Sequence, residues 1–141
     1  MKKIKSIIII SFLILLTGCS TMKNAWDAFF MAKYDTTEYS IITSIRTNSE
    51  IYQENCSVYD ISKYNFNSLF YKSLEFKNFT QNIPKNDDAI KLSEQLFELA
   101  KQAKEHYSKH ETVTAGFCKL KMQQINRSSE QIQKIIGSKP R

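Results

Sequence analysis

From residue 25 onward the apolar residues return at intervals of three and four, the spacing that lays one side of an α-helix against a core. The cleanest register lies near the C-terminus. There Ala115, Cys118, Met122, Ile125, Ser129, Ile132 and Ile136 alternate steps of three and four as a heptad-like seam. Earlier, Trp26, Phe30, Tyr34, Ile41, Ile45 and Tyr52 predict a helix over 25–55, with Asn24 as its N-cap and Asp27 three residues on. A second helix is predicted over 58–81, opened by Ser57 with Asp60 and drawing apolar surface from Tyr64, Phe70, Tyr71 and Leu74. Pro84, within "NIPKNDD" at 82–88, lacks the N–H needed to continue the ladder and ends it. Asn86 is the expected cap of a third helix, and Asp87 and Asp88 suit the positive end of its dipole. Leu92, Leu96, Leu99 and Ala103 line that helix, with Ile90, Phe97 and Ala100 widening the same side.

The break before the fourth segment is the weakest, because "HETVT" at 110–114 contains neither Gly nor Pro. A single helix over 87–136 competes, giving three helices with the last one long. It would extend about 75 Å at 1.5 Å per residue, more than this chain could cover. A turn at 110–114 is therefore preferred. The fold expected is all-α, an antiparallel up-down-up-down four-helix bundle over 25–136. Gly137 sits at the C-cap position, and 137–141 reads as a loose basic tail.

Ahead of the bundle, Lys2, Lys3 and Lys5 precede an apolar run from Ile7 to Leu16 that only Ser11 interrupts. The run is about half of the roughly 20 residues a membrane-spanning helix requires. Positive start, short apolar stretch and small residues are the layout of a secretory signal peptide. At its end, Leu16-Thr17-Gly18-Cys19 resembles the lipobox of bacterial lipoproteins at all four positions. The resemblance implies that residues 1–18 are cleaved, that Cys19 becomes the lipidated first residue, and that 19–24 is a short tether. Each buried CH2 contributes about 0.8 kcal/mol, so two or three acyl chains hold stably where one holds marginally. Gram-negative lipoproteins retained at the inner membrane carry Asp after the Cys. Ser20 instead implies anchorage in the inner leaflet of the outer membrane, facing the periplasm. With a helix starting at 25, residues 20–24 reach at most about 17 Å, which would hold the domain against its leaflet. Trp26, Phe29 and Phe30 then either touch headgroups or, as preferred, cap the core.

Cleavage changes the composition. It leaves 123 residues, enough for one domain with a core, and removes three lysines, halving the formal charge of +6. No stripe of Lys or Arg with interleaved aromatics is visible along the chain, and no nucleic-acid partner is expected. With Cys19 consumed by lipid, Cys56 and Cys118 form an even pair, and an oxidising periplasm favours their disulfide.

Two pairs of residues invite chemical readings. Asp35 and Glu38 in "YDTTEY" are three apart, which puts both carboxylates on one helix face. Glu38 falls beside the apolar stripe, where burial could raise its pKa and make it an acid. The plainer expectation is that it pairs with a Lys or a Tyr hydroxyl inside a seam. His106 and His110 are four apart and could reach one metal from one helix face. No third ligand is near in sequence and Lys109 opposes a cation, so two exposed histidines near a helix end are expected. A Gly-rich phosphate loop, a Ser elbow and a Cys–His nucleophile pair are all missing from the sequence. No catalytic residue, metal ligand or cofactor is assigned. The expected function is a non-catalytic, lipid-anchored module that binds an envelope protein in an assembly, inhibitory or exclusion role. The second expectation is a small enzyme or metal carrier using Asp35, Glu38, His106 and His110.

Overall fold

Thr36–Ile51 (α1), Tyr59–Gln81 (α2), Asp87–Lys109 (α3) and Ala115–Gly137 (α4) form an antiparallel four-helix bundle, with a 3-10 turn at Tyr52–Asn55 closing α1. These elements come from a computed structural model that describes residues 31–141. Helix α1 packs most extensively on α4 and α2 on α3; the α3–α4 and α1–α2 contacts close the ring. Among the described residues there is no strand, and no helix is long and apolar enough to cross a membrane.

The turn at 110–114 exists, so the reading with one long final helix is overturned. Thr114 begins α4 by accepting the Phe117 N–H on its side-chain oxygen at 3.2 Å. The Tyr59 hydroxyl lies 2.9 Å from the Tyr107 carbonyl and 2.7 Å from that of His110. It thereby covers carbonyls that the end of α3 leaves without helical partners.

The core runs through Ile42 and Ile45 of α1, Phe66, Leu69 and Phe76 of α2, Leu96 and Tyr107 of α3, and the seam of α4. Each large side chain buried this way contributes roughly 1.5–3 kcal/mol. The α4 seam is as expected from Cys118 to Ile136, while Ala115 is exposed. Polar contacts fasten the α1–α4 pair. Arg46 donates to Gln133 at 2.7 Å, Gln133 donates to the Thr43 hydroxyl at 2.8 Å, and Asn126 donates to the Arg46 carbonyl at 3.0 Å.

Some expectations fall outside the described residues, and others are corrected. The signal segment 1–18, Cys19, the tether 19–24, Asn24 and Trp26, Phe29 and Phe30 lie outside the described residues. Within them, residues 31–35 are not helical and α1 starts at Thr36, so no continuous helix runs over 25–55. Asp35 is extended, with φ −117° and ψ 123°, and its carboxylate accepts the Glu38 N–H at 2.8 Å. That is an N-cap, which sets the start of the helix locally. In α2 the cap position is Val58 rather than Ser57, without a side-chain cap. The inward face of α2 is also different. Tyr64 and Tyr71 are 72% and 57% exposed, while Ser62, Asn65, Ser73 and Thr80 are buried beside Phe66, Leu69 and Phe76. Helix α3 likewise turns Ala89, Ser93, Ala100 and Ala103 inward. Small residues let this helix pair approach closely, and large rings at those positions would not fit.

The tail is not loose. Lys139 is 7% exposed, and Pro140 accepts the Tyr34 N–H at 2.9 Å. The Arg141 guanidinium lies 5.6 Å from the centre of the Tyr34 ring. The segment before α1 is thus clipped to the C-terminus, and also to the α2–α3 loop through Ala32 N–H to the Lys85 carbonyl at 3.2 Å. Gly137 is the last helical residue, with Ser138 at the cap, and a Cβ there would stand 3.4 Å from Tyr39 Cε2, at van der Waals contact.

Candidate functional site

Glu38, in the first turn of α1, points into the bundle and has no exposed surface. An unmatched carboxylate there would be costly, and this one is met at both oxygens. Lys139 Nζ lies 2.5 Å from Oε2, and Asn86 Nδ2 donates to Oε1 at 2.8 Å. Lys139 also donates to Asn86 Oδ1 at 2.6 Å, and Asn86 Nδ2 is 3.2 Å from the Thr80 carbonyl. The Thr80 hydroxyl meets Ser93 at 2.9 Å. One polar cluster therefore joins the start of α1, the end of α2, the start of α3 and the residues after α4. Asn86 holds the cap position of α3, as expected, but its side chain is spent on this cluster and does not cap. A cleft of about 180 Å³ opens beside it, lined by Met31, Ala32, Asp87 and Ile135 and reaching Asn86 and Lys139. Asp35 does not pair with Glu38 as a second carboxylate on a shared helix face, because it binds the Glu38 backbone from outside the helix.

The histidines lie at the other end. His106 stacks on His110 and on Phe117, with ring centres 4.1 Å apart in both cases. His110 Nδ1 is 2.9 Å from the His106 carbonyl. Desolvation against these rings pushes the His106 pKa below its ordinary value, and the charges of His110 and Lys121 push the same way. Stacked rings hold their nitrogens in near-parallel planes, so the two do not converge on one point. No group of three or more His, Cys, Asp or Glu able to hold a metal occurs among the described residues. His106 is twenty residues along α3 from Asn86, about 30 Å at helical rise. Asp35, Glu38, His106 and His110 therefore do not assemble into one site.

Near the histidines, Cys56 and Cys118 are disulfide-bonded with Cα atoms 5.5 Å apart and a sequence separation of 62. Both are buried, and neither sulfur is a free nucleophile. Cys19 lies outside the described residues.

The outer seam between α2 and α3 carries a feature that the linear sequence hides. Lys63, Phe70 and Lys77 follow at intervals of seven on α2, and Phe97 and Lys104 do so on α3. The antiparallel pairing interleaves them. Lys104 Nζ is 3.9 Å from the centre of Phe70 and 5.1 Å from that of Tyr71; Phe70 and Phe97 are 5.4 Å apart; Lys77 Nζ is 4.9 Å from Phe97. Lys63 lies 5.6 Å from the Tyr59 ring. Ammonium groups over ring faces are attracted by the ring quadrupole. A stripe of lysines with interleaved aromatics is thus present after all, built from two helices. The heptad spacing was its only signal, and that spacing means nothing until the two helices are known to be partners. Beside the stripe, Asp60, Lys63, Tyr64, Asn67, Lys104 and Ser108 line a groove of about 390 Å³.

Comparison with protein-family models, with curated proteins and with solved structures gives no match.

Proposed function

We propose that this chain is a non-catalytic binding module, anchored by lipid on Cys19 to the periplasmic side of the outer membrane and presenting a helical face to an envelope protein. The observation that carries the binding role is the exposed aromatic surface of α2. Tyr64 and Tyr71 stand in solvent and Ile61 is 44% exposed, although the bundle core is complete without them. Exposed aromatics next to charged groups are the usual anchors of protein interfaces. The groups with chemical potential are meanwhile occupied: Glu38 by Lys139 and Asn86, the histidines by ring stacking, and Cys56 and Cys118 by each other. The anchor rests on Leu16-Thr17-Gly18-Cys19, and a disulfide between the two remaining cysteines suits an oxidising compartment.

The anchor is tested by feeding an alkyne fatty acid to cells that produce the full chain. The wild-type protein takes up label at residue 19 and fractionates with membrane, while Cys19→Ser does neither. An unlabelled wild-type chain overturns the anchored reading. The binding role is tested by placing a photo-crosslinking amino acid at exposed positions of α2 and of α4, such as Tyr64 and Leu120. Absence of any protein adduct from either helix overturns it.

A further inference from the structure

We propose that the α2–α3 groove receives an acidic segment of the protein partner, with Lys63 and Lys104 meeting carboxylates and Tyr64 and Tyr71 packing against the segment's apolar part. This proposal rests on the binding role argued above and specifies the chemistry of the partner. Charge complementarity is the first support. Among the described residues, Lys63, Lys77 and Lys104 reach no carboxylate within 4.0 Å, as is also true of Lys72, Lys91, Lys119 and Lys121, but only these three line the α2–α3 seam over aromatic rings of that pair. The rings beneath these ammonium groups attract them without neutralising them, so their charge remains for an incoming anion. Asp60 is the single acid among the lining residues, against two lysines.

Shape and chemistry agree. The lining positions 60, 63, 64 and 67 follow one face of α2, and 104 and 108 follow one face of α3, so the groove runs along the helix pair. An elongated groove suits a peptide segment laid lengthwise, with Asn67 and Ser108 available for hydrogen bonds. Cations held against aromatic rings are also ordered before binding, which reduces the conformational entropy lost when the complex forms. A nucleic acid fits less well. Glu75, Glu94, Glu98 and Glu105 lie on the same two helices and offset the positive charge that a phosphate backbone would need.

The experiment is photo-crosslinking in the cells that naturally produce the full-length chain. A photo-reactive amino acid replaces Asn67, with a parallel probe at Leu120 on α4, and the crosslinked peptides are sequenced. The Asn67 probe is expected to give an adduct whose contact segment carries an excess of Asp and Glu. That adduct should fall at least tenfold in Lys63→Glu/Lys104→Glu but persist in Lys119→Glu, a charge reversal on α4. Unchanged helical circular dichroism and melting temperature confirm that the double variant folds. An Asn67 adduct with nucleic acid, glycan, lipid or a second copy of this chain overturns the proposal. So does a neutral or basic contact segment, an adduct indifferent to the double reversal, or no adduct at all. If the Leu120 probe alone captures a protein, the groove is wrong while the binding role stands. If neither probe does, both fail.

Discussion

Glu38 and Lys139 are 101 residues apart in the chain, and their charges meet at 2.5 Å inside the bundle. Lys139 therefore fastens the first turn of α1, with Asn86 bridging both partners. Lys139→Ala leaves a buried carboxylate uncompensated and is expected to cost about 3–5 kcal/mol. Glu38→Leu combined with Lys139→Met should recover most of that loss, because it removes both charges together. Urea unfolding of the three proteins checks this. A Lys139→Ala variant as stable as wild type would show that the pair does not hold the end of the bundle.

The disulfide is expected to stabilise by limiting the unfolded chain. Closing a loop of 62 residues corresponds to about 4 kcal/mol in the chain-entropy treatment. Denaturant midpoints measured with and without reductant, and on Cys56→Ser/Cys118→Ser, should move down together. If reduction leaves the midpoint in place, the cross-link is not formed in the folded protein.

Asp35 has a structural task that can be separated from chemistry. Its carboxylate caps α1, so Asp35→Ala should cost about 1 kcal/mol, while Asp35→Ser or Asp35→Asn retains most of the cap. Thermal melts rank the three variants. Equal loss in all three would point to a role for the charge beyond capping.

His106 gives the protein a pH dependence of known sign. Its folded-state pKa lies below 6.5, so the native state binds fewer protons here than the unfolded chain does. The contribution of His106 to stability is complete above about pH 6.5, the unfolded value, and falls as the pH drops through the window down to the lowered folded value. Unfolding free energies measured across that window should slope less steeply in His106→Phe, which keeps an aromatic ring against Phe117. Proton NMR of the His106 ring locates the folded pKa directly, and a value at or above 6.5 contradicts this account.

Gly137 ends α4 in ordinary helical geometry, with room at 3.4 Å for a methyl group beside Tyr39. Gly137→Ala is expected to stabilise by about 0.5–1 kcal/mol, by restricting the unfolded chain and favouring the helix. A lower melting temperature would mean that Tyr39 cannot accommodate the added atom.

Helix number, helix type and the buried seam of α4 were legible because periodicity encodes them locally. Met122, Ile125, Ile132 and Ile136 repeat in register, and one face is buried whichever helices lie opposite. Cysteine parity, given lipid on Cys19, was enough to expect the pair Cys56 and Cys118. The partner type for Glu38 was also within reach, since a carboxylate beside an apolar stripe needs a cation or a hydroxyl.

The sequence by itself thus determined an all-α chain, its last three helices to within a residue or two, and which cysteines join. Tertiary structure decided which face of α2 turns inward, because both faces carry aromatic residues and the neighbouring helices determine which of them is buried. It also decided that Lys139 is the partner of Glu38, that Lys77 of α2 stands over a ring of α3 and that Lys104 of α3 stands over rings of α2. These pairings depend on which helices become neighbours. Local spacing constrains one helix at a time, whereas charges and rings on different helices meet only once the whole bundle has packed.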